Sequence, residues 1–164
     1  MSIEPDSWLL ANAPALGIDP ALVNPGSVDL RLGHKIIELK AGRPNITYTL
    51  ADGEEFEFLP GSLYIAHTVE TVSIPETHRA QVLCKSSTAR RGLNHLMAGL
   101  CDGGFTGTIT LELVAYVPVT FRAGQRIIQL EFARYAERPQ RPYSVTGRYM
   151  NQDSPQLARP EREP

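Results

Sequence analysis

Residues 106–121 read TGTITLELVAYVPVTF, and this run decides the fold. It is rich in β-branched residues and alternates at every second position, as a half-buried strand does. The alternation puts Ile109, Leu111 and Leu113 on one face and Thr108, Thr110, Glu112 and Val114 on the other. Working outward, SVDLRLG at 27–33 points Val28, Leu30 and Leu32 inward. FEFLPGSLYIAHTVETVSI at 56–74 holds two strand-like runs around Pro60-Gly61, and QRIIQLEF at 125–132 is again strand-like. Turn signals recur at residues 51–54, Pro60-Gly61, Gly103-Gly104 and Ala123-Gly124. Helix is expected in two places only. One is a short helix over SWLLANAPAL at 7–16, capped by Asp6 or Ser7 and ended by Pro14 and Gly17. The other is a single turn hidden within residues 75–93. Many short strands with little helix predict an all-β fold, a closed barrel or jelly roll that removes or buries its sheet edges.

The chain has 164 residues, 42% hydrophobic and 21% charged, which suits one globular domain with a real core. A net charge of -2 gives no electrostatic case for a nucleic-acid partner. No apolar run reaches the roughly 18 residues that span a bilayer, so no membrane partner is expected. The opening MSIEPDSWLL lacks the pattern of a secretion signal, and Cys84 and Cys101 form no CxxC pair. Two free thiols in a reducing cytoplasm are the expectation. The texture changes at Arg138, dividing the chain into a β domain at 1–137 and a tail at 138–164. Composition reads this tail as flexible; the alternative is a tail that orders over a ligand or a neighbouring subunit.

Three places carry candidate chemistry. KSSTAR at 85–90 brings Lys85, Ser86, Ser87 and Arg90 together, a set of donors and charges that suits phosphate oxygens. It lacks the P-loop spacing, and a solvated basic turn is the plainer reading. In CDGGFTG at 101–107, Asp102 is either a turn residue bonding nearby amides or a carboxylate facing a ligand's hydroxyl across close-approaching glycines. Glu112 is a carboxylate on an otherwise aliphatic and β-branched strand. Its face meets solvent, or it is enclosed and suited to proton transfer.

The ordered motifs PGSVDLRLG, TVETVSIP, KSSTARRGL, AGLCDGGFTGTITLEL and GRYMNQ resemble those of the dCTP deaminase family, in the dUTPase-like superfamily, across about residues 23–159. The resemblance implies a dUTPase-like distorted β-barrel or jelly roll with a short N-terminal helix and an extended C-terminal tail. It implies Glu112, Ser86 and Arg90 as catalytic residues, with the Ala98 carbonyl helping to hold a water. Lys85 and Ser87 fall toward the phosphates, Asp102 at the deoxyribose hydroxyl, and the backbone of Thr110 and Leu111 at the pyrimidine edge. Tyr143, Arg148 and Gln152 fall where the tail closes over the triphosphate. The implied reaction is metal-independent hydrolytic deamination of dCTP, or of a C5-modified dCTP. Magnesium (Mg2+) would be carried on the substrate triphosphate, and the sites would lie between subunits of a homotrimer. Zinc is not expected: H-x-E and P-C-x-x-C are absent, and His34, His67, His78 and His95 are scattered. Leu100 and Gly99 depart from the single-function pattern, Met97 replaces a threonine of feedback-regulated members, and Arg148 stands where lysine is usual. Onward hydrolysis to the monophosphate with release of pyrophosphate, a plain dUTPase, and a non-catalytic nucleotide-binding barrel remain the alternatives.

Overall fold

The computed structural model describes residues 2–96 and 98–160; Met97 and the last four residues of the expected tail lie outside the described residues. The long strands foreseen from alternation form, and they occupy the middle of two sheets. In the first sheet β13 (Arg126–Arg134) runs between β8 (His78–Cys84) and β3 (Ser27–Arg31), all antiparallel. This sheet is extended by β2 (Val23–Asn24) beyond β3, by β10 (Leu100–Cys101) beyond β8, and by β1 (Ser2–Ile3) on the end of β13. In the second, β11 (Thr106–Ala115) pairs with β7 (Leu63–Ser73), flanked by β9 (Leu93–His95) and by β4 (Lys35–Leu39) and β5 (Ile46–Thr49). A third, two-stranded sheet joins β6 (Glu55–Phe58) to β12 (Val119–Arg122). The fold is all-β as expected, but the strands do not close into one barrel: three sheets wrap a shared core.

The core follows from the alternation. Val28, Leu30 and Leu32 are fully buried, as are Leu111 and Leu113 on β11. Phe58, Tyr64, Phe121 and Phe132 supply the bulk, and Phe58 meets Tyr64 edge-on at 5.0 Å between ring centres. Alternation fails at Asp29, which is as buried as its apolar neighbours. Its carboxylate is met by the Lys85 ammonium, by Arg126 at 3.5 Å and by Asn24 at 3.0 Å, which offset the cost of desolvation. Glu70, also buried, takes the Arg31 backbone N–H at 2.9 Å and its Nε at 2.6 Å, tying β3 to β7 across the sheets.

The first helix, α1, runs Asp6–Leu16 and differs from expectation at both ends. Pro5 holds the N-cap position with no side-chain cap, and Asp6 instead accepts from the Ser7 N–H at 2.7 Å. Pro14 lies inside the last turn rather than ending it. Its missing N–H removes the donor to Leu10, a residue on the exposed face. The stop is Gly17, left-handed at φ 69°, where Ile18 N–H closes onto Ala13 O at 3.1 Å. The helical turn hidden in residues 75–93 is α2 (Ser86–Ala89), following β8. No helix among the described residues is long and apolar enough to cross a membrane.

Candidate active site

On β11 the alternation is interrupted. Its register against β7 shifts between Thr108 and Thr110, a bulge that lets Ile109, Thr110 and Glu112 all line one cavity of about 430 Å³. Ile65 of β7 forms part of its floor, and Leu39 and Leu63, opposite each other on β4 and β7, form its apolar side. The facing wall is the segment 98–105, with Ala98, Cys101, Asp102 and Phe105.

The roof is the tail. Its helical turn α3 (Tyr143–Thr146) is anchored by Tyr143 N–H to Gly103 O at 2.8 Å. Tyr143 Oη accepts from the Arg148 and Tyr149 N–H groups at 3.3 and 3.2 Å, curling the chain back on itself. Gln152 then bridges in parallel to Gly107. Its carbonyl accepts from Thr108 N–H at 2.8 Å, and its amide donates to Thr108 O at 2.6 Å and Thr110 Oγ1 at 3.2 Å. Gly107 has φ 146°, and a Cβ there would stand 2.9 Å from Gln152 N, so the tail lies directly on glycine backbone. Residues expected to be flexible from composition thus form a docked cover.

Six of the sequence-derived residues meet at this cavity: Glu112, Asp102, Ala98, Thr110, Tyr143 and Gln152. The Glu112 side chain is 27% exposed, neither in bulk water nor sealed, and its Oε2 lies 3.3 Å from His95 Nε2. Leu111 turns its side chain into the core, leaving only backbone toward the site. Arg148 belongs to the cover, but its guanidinium is spent on the carbonyls of Arg159, at 2.9 Å, and Pro160. The other four stand apart within one chain. Ser86, Ser87 and Arg90 are exposed at α2, outside the cavity lining, and Lys85 is held by Asp29.

Several wall residues escaped the sequence reading. Tyr149 and Gln156 join the roof, with Gln156 N–H on Thr110 Oγ1 at 3.3 Å. His95 reaches Glu112 through the β9–β11 pairing, for which no local spacing gives a signal. Cys101 lines the cavity, and its thiol is pushed up to about 12, first by burial and then by the negative charges of Asp102 and Glu112. That places two acidic groups and an un-ionised thiol around one small volume.

An all-β chain that carries a half-buried carboxylate into a cavity of one-ligand size has the form of a small-molecule site. Comparison with known proteins narrows this. Residues 9–135 match the family model described as dCTP deaminase-like. The chain is 38% identical to the dCTP deaminase of Natronomonas pharaonis, over 86% of this chain and 83% of that protein. It is 37% identical to the "dCTP deaminase, dUMP-forming" of Methanoregula boonei, over 93% and 94%. The crystal structure of 2'-deoxycytidine 5'-triphosphate deaminase from Agrobacterium tumefaciens shares the fold, with a TM-score of 0.66 at 23% identity; the match covers 81% of this chain but only 48% of that one. The chain belongs to the dCTP deaminase-like family, and it shares its all-β fold with that solved deaminase.

Proposed function

We propose that the protein hydrolyses the exocyclic amine of dCTP, or of a C5-modified dCTP, giving the uracil-type nucleotide and ammonia with no metal at the reacting carbon. The observation that carries this reading is the position of Glu112: a carboxylate at the floor of a covered cavity, with Asp102 on the facing wall. Water adds through oxygen to C4 as its proton passes to the Glu112 carboxylate. The C4–N3 double bond opens as the oxygen adds, and the carboxyl passes the proton to N3. The carboxyl then carries the new hydroxyl's proton to the amine as the carbon–nitrogen bond breaks, leaving a C4 carbonyl, so one water is consumed per ammonia released. Asp102 takes the deoxyribose hydroxyl, and the β11 backbone at Thr110 and Leu111 reads the pyrimidine edge. The Ala98 carbonyl helps hold the water. Tyr143, Arg148 and Gln152 cover the triphosphate, which arrives with its own Mg2+.

Ser86 and Arg90 take part from a neighbouring copy in a homotrimer, with Lys85 and Ser87 toward its phosphates. Two features favour this arrangement. Ser86, Ser87 and Arg90 are exposed and do not line their own chain's cavity. Leu83, Leu96 and Leu100 leave apolar side chains exposed along β8 and the cavity rim, 57% in the case of Leu100. A second reading, release of pyrophosphate to leave the monophosphate, is favoured by the Methanoregula relative, whose name carries dUMP-forming and whose match covers nearly the whole of both chains.

One assay tests these together. The protein is incubated with dCTP or dUTP and magnesium, and ammonia and pyrophosphate are followed separately. Ammonia alone from dCTP supports the first reading, and both products support the second. Pyrophosphate from dUTP with no ammonia from dCTP overturns deamination. Glu112→Gln is expected to lower ammonia release by about 10²- to 10⁴-fold while nucleotide binding persists.

A further inference from the structure

The Glu112 carboxylate has a titratable neighbour that the proposed reaction does not use. His95 is the last residue of β9, and its side chain is only 2% exposed. Its Nε2 and Glu112 Oε2 are 3.3 Å apart. Both atoms are shut off from solvent, and among the described residues neither has a hydrogen-bond partner: they are close but out of line. A buried polar atom left unpaired is destabilising, and here two such atoms face each other. The backbone on either side is fixed, because His95 lies opposite Leu113 in the ladder and Leu96 N–H holds Glu112 O at 2.8 Å. The ladder therefore fixes the two backbones beside each other, and bringing the atoms into line falls to the side chains.

We infer that His95 is a positioning residue for Glu112: its Nε2–H donates to Oε2, pins that oxygen against the wall, and leaves Oε1 directed at the cavity and its water. This inference rests on the proposed role of Glu112 in proton transfer. Other ionisable groups lie close by. Arg79 and Cys84 of β8 share the neighbouring hollow with His95, and Cys101 and Asp102 line the Glu112 cavity. None of them pairs with Glu112 among the described residues; His95 does.

The test uses the full chain and three variants, with kcat and KM for ammonia release from dCTP measured across pH, alongside melting temperatures. His95→Leu removes the donor. It is expected to lower kcat about 10- to 100-fold with KM within about twofold of wild type, the loss that follows a misplaced catalytic group. His95→Gln sets an amide N–H where Nε2 stood and should recover most of kcat. Glu112→Gln separates the two ideas. If it is inactive while His95→Leu keeps the wild-type kcat, the positioning role is overturned and the base survives. If Glu112→Gln turns over like wild type, the base reading itself falls. A His95→Gln protein that melts like wild type yet is as slow as His95→Leu also overturns the donor role.

Discussion

Replacing Gly107 by alanine tests whether the tail is held on β11, and the structure sets the size of the effect. Gly107 sits at φ 146°, a conformation that L side chains rarely adopt and that costs them about 1–3 kcal/mol. The new Cβ would also stand 2.9 Å from Gln152 N and 3.0 Å from Gln152 O, so the collision is with tail backbone rather than a side-chain tip. Against this strain stand the bonds that dock the tail here. Asn151 N–H reaches Thr106 O at 2.7 Å, Thr108 N–H reaches Gln152 O, and the Gln152 amide reaches Thr108 O and Thr110 Oγ1. Four such bonds at about 0.5–1.5 kcal/mol net each hold the tail by about 2–6 kcal/mol. Strain and docking are therefore of the same size, and the alanine variant relieves the collision by lifting the tail. Trypsin reads this directly. Of the arginines at 138, 141, 148 and 159, all but Arg148 precede proline, so Arg148–Tyr149 is the cleavable bond among the described tail residues. Cleavage there should rise by tenfold or more, since about 1.4 kcal/mol of lost docking is one power of ten in the open population. The backbone strain should also lower Tm, by about 2–4 °C per kcal/mol in a chain of this size. A Gly107→Ala protein with wild-type melting and wild-type tryptic rate would refute the docking.

Two further outcomes follow from buried charges. Burial works against ionisation of Glu4, but hydrogen bonds from His78, at 3.0 Å, and from Arg134 hold its carboxyl below the ordinary 4.5. Burial, followed by the charge of His34, lowers His67 from 6.5. In both cases the folded value lies below the unfolded one, so the stabilisation is complete above the unfolded value and is lost as pH falls. Stability should decline first below about pH 6.5 and again below about 4.5. His67→Gln flattens the first step and Glu4→Gln the second in urea melts, and unchanged steps would exclude these groups as the cause. Lys85→Met should destabilise the fold by roughly 3–5 kcal/mol, because it leaves the buried Asp29 with Asn24 and a largely exposed Arg126. Adding Asp29→Asn should restore much of that loss in the same melts; wild-type stability of Lys85→Met would show that the ammonium serves a ligand alone.

What the sequence disclosed, and what it hid, divides by the range of the interactions. Strand β11 was legible because Leu111 and Leu113 declare a buried face within a few residues. The second long strand, β7, was legible for the same reason after Pro60-Gly61. Strand β4 was not singled out, since KIIEL carries a glutamate among its apolar residues. Glu38 is tolerated there because Ser62 Oγ donates at 2.5 Å and Tyr48 Oη at 2.9 Å, partners 24 and 10 residues away. Barrel closure was overstated for a related reason, as alternation identifies strands but not which edges meet. Lys85 reads as a free cation until Asp29, 56 residues earlier, is found beneath it. The tail's proline and arginine content conceals the long-range contacts that fix its path, Tyr143 on Gly103 and Gln152 on the bare Gly107 among them.

Charge explains why the site is divided as it is. The charged side chains that line the cavity are Asp102 and Glu112, both acidic. A nucleoside triphosphate adds several negative charges of its own, and a cavity of that sign repels it at the short distances that matter here. The cations that would compensate lie elsewhere on the same chain. Arg90 is exposed beside α2. Lys85 and Arg126 share one buried carboxylate, two positive charges against one negative, which leaves one charge free to meet a phosphate. Under the proposed reading, the acidic floor must activate water, and a cation within it would draw the proton-accepting carboxylate into an ion pair. On that same reading, a basic segment kept on the outer surface and presented to a neighbouring copy would let the chain keep both: a carboxylate free to accept a proton, and a positive patch that arrives only with assembly. The two-residue-period strand would supply the first and the α2 turn the second.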